Sequence, residues 1–188
     1  MVDRPDNGVS RCQHPLTRGE LVDLVRFLSE LGKVGPFAVG KSRLVRRWQV
    51  LEPTGEARQI LRGRDLGAAT ADDRVLLWNP AYSTVSGVLP LDALLPFGKD
   101  SSALAMVRCH LETSTVGKVR LKLNGSKGVA LWLDRVAMEM KAELLLDLSP
   151  GVHTLTFAVN LAQRGDGLRC ELDDVPGSAG RVRIVGGK

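Results

Sequence analysis

The second half of the chain alternates apolar and polar residues with a period of two. In five stretches, apolar side chains occupy every second position and mostly charged or polar side chains lie between them: 107–112, 118–123, 154–161, 168–173 and 181–185. The segment 129–134 has the same pattern, with Trp132 on the face opposite Val129, Leu131 and Leu133. A period of two with one apolar face is typical of half-buried antiparallel strands. We therefore predict a series of short strands, each with one face in a core.

Turn-forming residues separate these strands, and no helical period lies between them. Gly, Pro, Asn and Ser mark the turns at 116–117, 124–126, 149–151, 165–167 and 176–178. This spacing predicts a mainly β fold, an antiparallel β-sandwich of the jelly-roll kind, with an up-and-down barrel as the alternative. Upstream, 47–51 is a further predicted strand, 53–61 a short helical turn, and 75–78 and 85–90 two weaker strands in a loop-rich region.

One helix is predicted near the N-terminus. Thr17 and Glu20 occupy the two positions of a capping box, and Gly32 stands at the expected end. Between them, apolar residues at helical spacing form one stripe: Leu21, Leu24, Val25, Leu28 and Leu31. Because an exposed stripe of this size invites association, we expect it to pack on the sandwich or on a partner.

These elements divide the chain into four parts. A breaker-rich stretch follows the helix and ends in a basic cluster over 41–47, which we interpret as a charged arm on an edge strand. The predicted organisation is a flexible start over 1–15, a helix over 16–33, a linker over 34–46 and a β-sandwich module over 47–188.

Composition narrows the possible partners. The chain has 188 residues, of which 44% are hydrophobic, enough for a core that needs no metal or disulfide. Its net charge of +5 comes from 26 basic and 21 acidic residues that are interspersed, which indicates a solvated surface and no nucleic-acid groove. No apolar run is long enough for a membrane span, and residues 1–12 lack the apolar region of a signal peptide.

The three cysteines are an odd number, which argues against a disulfide framework. Cys109 and Cys170 fall on inward positions of predicted strands, so we expect buried free thiols, with a disulfide between adjacent strands as the alternative. Cys12-Gln13-His14 lacks the second thiol of a haem attachment site, and the chain has no zinc-ligand spacing. We therefore expect no haem bound by this chain.

Scarce aromatic side chains are the first candidates for a ligand site. Trp132 on an outward strand face is placed to stack on a flat sugar ring; the alternative is that it packs under loops or against the second sheet. Trp78 and Tyr82 are further large aromatic side chains, and they lie in the loop-rich region upstream. The candidate ligand-binding residues are Trp132, Asp134, His153, Trp78 and Tyr82.

Polar candidates for other chemistry are weaker. His110 and His153 are assigned to outward strand faces, as solvated side chains or as ligand contacts. Acids at 72–73, 134, 147 and 173–174 are of the type that holds calcium, but they lack EF-hand spacing. The sequence around Ser178 does not have the spacing of a nucleophile elbow, and no carboxylate pair for glycoside hydrolysis can be chosen. We predict no catalytic residues and no metal ligands.

Three segments resemble the core of PA14-type jelly-roll carbohydrate-binding modules. They read Val-Arg-Leu-Lys-Leu-Asn-Gly over 119–125, Gly-Val-Ala-Leu-Trp-Leu-Asp over 128–134, and Asp-Leu-Ser-Pro-Gly-Val-His-Thr-Leu-Thr-Phe-Ala-Val over 147–159. The resemblance implies a jelly roll and a carbohydrate ligand. The paired loop aspartates that bind calcium in some of these modules have no match here.

Residues 16–33 resemble a different family. They read Leu-Thr-Arg-Gly-Glu-Leu-Val-Asp-Leu-Val-Arg-Phe-Leu-Ser-Glu-Leu-Gly-Lys, which is similar to the last helix of the cytochrome c domain that ends large bacterial multidomain dehydrogenase-like proteins. In those proteins a β-rich tail follows that helix. The resemblance implies a haem-c or dehydrogenase domain or subunit as partner, an extracytoplasmic location and an electron-transfer context, with haem c as the cofactor of the family.

Two functional hypotheses follow from these observations. The first is a non-catalytic accessory β-sandwich module of a haem-c dehydrogenase-like protein, serving docking or structural support. On this hypothesis the chain itself lacks the Cys-x-x-Cys-His haem attachment site. The second is a carbohydrate-binding module in its own right.

Overall fold

The computed structural model describes residues 43–62, 66–71, 74–98 and 103–186, together with Thr17, Leu21, Val22 and Val25. The chain divides into two compact units, residues 1–40 and 41–188. In the first unit, Leu21, Val22 and Val25 are helical, and the Leu21 N–H donates to the Thr17 carbonyl at 3.0 Å, as expected after a Thr cap. The rest of the predicted helix, the start over 1–15 and residues 34–42 lie outside the described residues.

The second unit contains two antiparallel sheets. The five-stranded sheet consists of β1 (Arg43–Leu44), β4 (Val88–Leu89), β6 (Gly117–Leu123), β9 (Glu143–Leu148) and β11 (Leu168–Asp174). The seven-stranded sheet consists of β2 (Arg47–Leu51), β3 (Trp78–Tyr82), β5 (Leu104–Thr115), β7 (Val129–Leu133), β8 (Val136–Met138), β10 (Gly151–Asn160) and β12 (Arg181–Val185). Helix α1 (Gly55–Arg62) and two short 3-10 turns, Leu66–Thr70 and Leu91–Ala93, connect the early strands.

The strand pairing is nested, which is the pattern of a hairpin rolled into two sheets. β1 pairs with β11, β5 with β10, β6 with β9, and β7 with β8. Most consecutive strands therefore switch from one sheet to the other, as in a jelly roll, whereas the hairpins β2–β3 and β7–β8 stay within the seven-stranded sheet. The predicted mainly β fold, an antiparallel sandwich, is confirmed.

Two apolar clusters lie on opposite faces of the seven-stranded sheet. The larger fills the space between the sheets; within it the Trp48 and Phe157 rings meet edge to face, with centroids 5.6 Å apart. The smaller covers one end of the outer face, where α1 and the first 3-10 turn contribute to it: Leu51, Ala57, Ala69, Leu76, Met106, Trp132 and Ala158. The outer face is therefore part apolar and covered, part polar.

Several early elements differ from their prediction. The strand predicted at 75–78 lies further along the chain, as β3 over Trp78–Tyr82, and it includes Pro80. Proline lacks the N–H that a central strand needs, but β3 is an edge strand and tolerates it. β1 lies inside the range assigned to the linker, and its Arg43 forms an ion pair of 2.7 Å with Asp174, which agrees with a charged arm on an edge strand.

Candidate functional site

A cleft lies where two strands meet end to end along the same edge of β5. β10 pairs with β5 along one edge, so the partners on the other edge share its length. β12 pairs with residues 110–115 of β5, and β2 pairs with residues 107–108. The gap between them forms a cavity of about 150 Å³, lined by Arg47, Trp48, Gln49, Pro80, Tyr82, Arg108, Cys109, His110, Val185 and Gly186.

Gln49 is the centre of a hydrogen-bonded row in this cleft. Its Oε1 accepts from Arg108 Nε at 2.7 Å and lies 3.1 Å from His110 Nε2. Gln49 and Arg108 are direct cross-strand neighbours, so their side chains leave the sheet on the same face. A carbonyl oxygen has two lone pairs, and these two contacts occupy both of them. The Gln49 amide NH₂ has no partner among the described residues.

His110 ties this row to the next strand. Because Gln49 Oε1 can only accept, His110 Nε2 carries the hydrogen of that bond. In the neutral ring, Nδ1 is then the acceptor, and the Thr154 hydroxyl donates to it at 3.2 Å. The outward position of His110 that the alternation predicts is confirmed, because His110 alternates in β5 with the buried core residues Cys109 and Leu111.

The guanidinium of Arg108 packs against the ring of Trp78. Its guanidinium carbon lies 4.3 Å from the centroid of Trp78, within the range of a cation–π contact, and the residue is only 8% exposed. One face of the Trp78 ring is therefore covered by the protein. Trp78, a predicted ligand-binding residue, lies next to the cleft and positions Arg108.

Arg47 and Tyr82 form the exposed rim of the cleft. They are direct cross-strand neighbours in β2 and β3, and Tyr82 is 66% exposed. Arg47 Nη1 lies 3.8 Å from the position that a Cβ on Gly186 would take, so its guanidinium reaches the end of β12. The Arg47 guanidinium makes no hydrogen bond or ion pair with any residue that the structure describes. Of the five ligand-binding residues predicted from the sequence, Tyr82 is therefore the one that lines the cleft.

Trp132 lies on the same face but outside the cleft. It is paired with Thr156, which is paired with Arg108, so it is two strands away, or about 10 Å. As predicted, it faces away from Leu131. Its ring is 9% exposed and belongs to the smaller apolar cluster, so little of its surface can meet a ligand.

Asp134 and His153 contact each other beside the turn between β7 and β8. His153 Nδ1 lies 2.5 Å from Asp134 Oδ2, and its Nε2 lies 2.8 Å from the Ser149 carbonyl. The outward assignment of His153 is wrong: the residue is 8% exposed, because it has the same parity in β10 as the buried Leu155. The pair links the β7–β8 turn to β10 and does not line the cleft, although Asp134 Oδ1 also accepts from the N–H of Thr154, the cross-strand neighbour of His110.

The described residues contain no group of three or more His, Cys, Asp or Glu side chains that could hold a metal ion. Of the acids considered for calcium, Asp173 pairs with Lys122, and Asp174 with Arg43 and Arg181; Asp72 and Asp73 lie outside the described residues. Cys109 and Cys170 are buried free thiols, as predicted, and burial raises the pKa of both.

A second cavity, of about 690 Å³, lies between α1 and residues 96–98. Among its described lining residues the polar side chains are Arg58 and Arg62, both on α1, and the remainder are apolar or glycine. Ligand sites usually combine an apolar lining with a few convergent polar groups from different elements. The smaller cleft, with groups from β2, β3 and β5, fits that description better.

Two central residues of the cleft, Gln49 and Arg108, were not among the sequence candidates. They are 59 residues apart in the chain, and only the register of β2 on β5 brings them together. The available signal was Arg108 itself, a charged residue flanked in the sequence by the apolar Val107 and Cys109.

Comparison with known protein families, with curated proteins and with solved structures returned no match. In the part of the chain that the structure describes, no helix has both the length and the apolar character needed to cross a membrane.

Proposed function

We propose that this chain is a non-catalytic carbohydrate-binding β-sandwich module, and that its ligand occupies the cleft between β2 and β12. The observation that carries the proposal is the preformed row of Gln49, Arg108 and His110 beside the exposed Tyr82 ring. Planar polar side chains that are already fixed by hydrogen bonds lose little entropy on binding.

The groups at the cleft match the chemistry of a sugar. The Gln49 amide NH₂ donates to hydroxyl or ring oxygens, and the Tyr82 ring offers a flat apolar surface with a hydroxyl at its end. Pockets for drug-sized ligands hold about 300–1,000 Å³, whereas this cleft measures about 150 Å³. The proposed occupant is therefore a single sugar ring of a longer chain, with the neighbouring rings outside the cleft.

We propose binding without catalysis because of the residues that line the cleft. Most glycoside hydrolases use a pair of carboxylates on either side of the bond that is cleaved. The described lining residues of this cleft include no Asp or Glu.

Screening the full chain on a glycan array, followed by calorimetric titration of the best oligosaccharide, tests the proposal. Tyr82→Ala should weaken binding about tenfold through loss of the stacking surface. Tyr82→Phe is the matched control, because it keeps the ring and should stay close to the parent protein. No binding to any glycan, or equal affinity for the parent and Tyr82→Ala, would contradict the proposal.

The accessory role in a haem-c dehydrogenase-like protein stays a prediction from the resemblance of residues 16–33. It is compatible with sugar binding, since a non-catalytic module can serve a larger protein. Expression with a cytochrome c maturation system tests the part of it that concerns this chain, because covalent haem and its Soret band would contradict the predicted lack of an attachment site.

A further inference from the structure

We infer that the ligand of the cleft is an acidic saccharide, one that carries a carboxylate or a sulfate, and that Arg47 binds this oxyanion. The inference rests on the proposed function, because it names the class of sugar that the same cleft would take. Three observations support it: the charge of the lining, the position of Arg47, and the number of hydrogen-bond donors that face the cleft.

The described lining of the cleft is basic. Arg47 and Arg108 contribute positive charge to it, and no carboxylate lines it. The nearest acid along β5 on the same face is Glu112, and its carboxylate is engaged by Arg183 Nε at 2.5 Å. The electrostatic potential at the cleft therefore favours an anionic ligand, and a neutral sugar would gain nothing from this potential.

Arg47 is placed to meet a ligand. Its neighbour Gln49, two positions along β2, points to the same face, so both side chains border the cleft. The Arg47 guanidinium reaches the end of β12 near Gly186 and has no partner among the described residues. A guanidinium forms paired hydrogen bonds with planar oxyanions, so it suits a carboxylate or sulfate better than a hydroxyl.

The free hydrogen-bonding groups of the cleft are mainly donors. Gln49 Oε1 is occupied by Arg108 and His110, which leaves the amide NH₂. The Arg47 guanidinium adds further donors and no acceptor. A site that offers donors selects a ligand rich in acceptors, and an oxyanion has the largest number of them for its size.

Titrations of the full chain with three oligosaccharides of one backbone test the inference: neutral, uronic-acid and sulfated. We expect at least one acidic form to bind about tenfold or more tightly than the neutral form, because charge-assisted hydrogen bonds are the stronger ones. Raising the salt concentration should weaken the acidic ligand more than the neutral one. The two acidic forms distinguish carboxylate from sulfate.

Arg47→Ala should reduce affinity for the acidic form about tenfold more than affinity for the neutral form. Arg120→Ala is the matched control, since it removes the same charge from β6 in the other sheet and should not alter the preference. If neutral and acidic forms bind alike, the inference fails while the proposed function stands. If none of the glycans binds in the array or in titration, both fail.

Discussion

The guanidinium of Arg108 lies over the Trp78 ring, 4.3 Å from its centroid, while its Nε donates to Gln49. The ring and the amide together fix the orientation of a nearly buried cation on the outer face of the sheet. Trp78 is not among the residues that line the cleft. Trp78 is therefore a positioning residue for Arg108, and its effect on a ligand should be indirect.

Trp78→Leu should weaken ligand binding by about two- to thirtyfold, since a cation–π contact is worth about 0.5–2 kcal/mol. Trp78→Phe keeps a ring under Arg108 and should lose less. Calorimetric titration of both variants checks this, with urea unfolding run in parallel to ensure that each variant is folded. Equal binding by the Leu and Phe variants would show that the ring does not orient Arg108.

The pair of His153 and Asp134 should make stability depend on pH. Both ring nitrogens of His153 face acceptors, and only the protonated ring can donate from both. Burial lowers the pKa of His153, but the hydrogen bonds to Asp134 and Ser149 outweigh it, and the pKa is raised above its ordinary value. A raised folded-state pKa means that the stabilisation is fully present below the unfolded pKa, about 6.5, and is lost as pH rises through the folded value.

We expect the free energy of unfolding to fall by an amount on the order of 1 kcal/mol between pH 5.5 and pH 8 because of this pair. Urea denaturation at several pH values measures it. Asp134→Asn removes the charged acceptor and should flatten the dependence over that range. A parent protein whose stability changes no more than that of Asp134→Asn would refute the assignment to His153.

Arg164 joins two loops at one end of the sandwich and is 9% exposed. Its Nη1 donates to the carbonyls of Gly125 and Lys127, and its Nη2 donates to Asn124 Oδ1 and the Gly167 carbonyl. Without the guanidinium, the Gly125 and Lys127 carbonyls would lose this donor, whereas Asn124 Oδ1 would keep the bond from the Arg169 N–H and the Gly167 carbonyl the bond from Asn124 Nδ2.

Arg164→Ala should lower the free energy of unfolding by about 3 kcal/mol, because several hydrogen bonds to a charged group are lost at once. Arg164→Lys has one donor group for the four acceptors and should recover only part of this loss. Arg58→Ala, an exposed arginine on α1, serves as the control and should change stability by about 0.5 kcal/mol or less. Similar urea midpoints for the Arg164 and Arg58 variants would contradict the role of Arg164.

The turn between β7 and β8 uses two non-glycine residues with positive φ, Asp134 at 47° and Arg135 at 77°. This conformation matches a two-residue hairpin turn, in which glycine is preferred at the second position. Arg135→Gly should raise the free energy of unfolding by up to about 1 kcal/mol, since it relieves the left-handed strain. Arg120→Gly within β6 should lower it by about 0.5–1 kcal/mol. Thermal unfolding of the two variants compares them directly.

Cys109 and Cys170 should resist alkylation in the native protein. Both thiols are buried, and burial raises their pKa, so the reactive thiolate is scarce. Iodoacetamide labelling followed by peptide mass spectrometry should modify both only in denaturant. Rapid labelling of either cysteine without denaturant would show that the sandwich opens at that strand.

The strands that could be predicted are those with one solvent-exposed face. Alternation located β6, β11 and β12 within a residue or two of their observed ends. It failed at the start of β5, where Ala105 and Met106 are both buried because the smaller apolar cluster covers the outer face. It also failed at β9, where the run Leu144, Leu145 and Leu146 hides the alternation, although Leu145 is 56% exposed.

The cleft was less predictable than the fold. Tyr82 and Trp78 were found because large rings are scarce in this chain. Gln49 and Arg108 are common residue types without a motif, and their roles depend on which strands pair and in which register. Parity placed His110 correctly, and the same rule, applied consistently along β10, would have placed His153 inside.

The meeting of β2 and β12 beside β5 has a consequence for folding. The cleft combines residues from the first strands of the domain with Val185 and Gly186 at its last described strand, so its contacts have a large separation in sequence. Such contacts form late, after most of the loop-closure entropy has been lost. Until β12 docks, residues 110–115 of β5 also leave an unpaired edge open to intermolecular pairing. A ligand bound in the cleft would hold β12 in place, and would thereby protect the domain from aggregation during its own maturation.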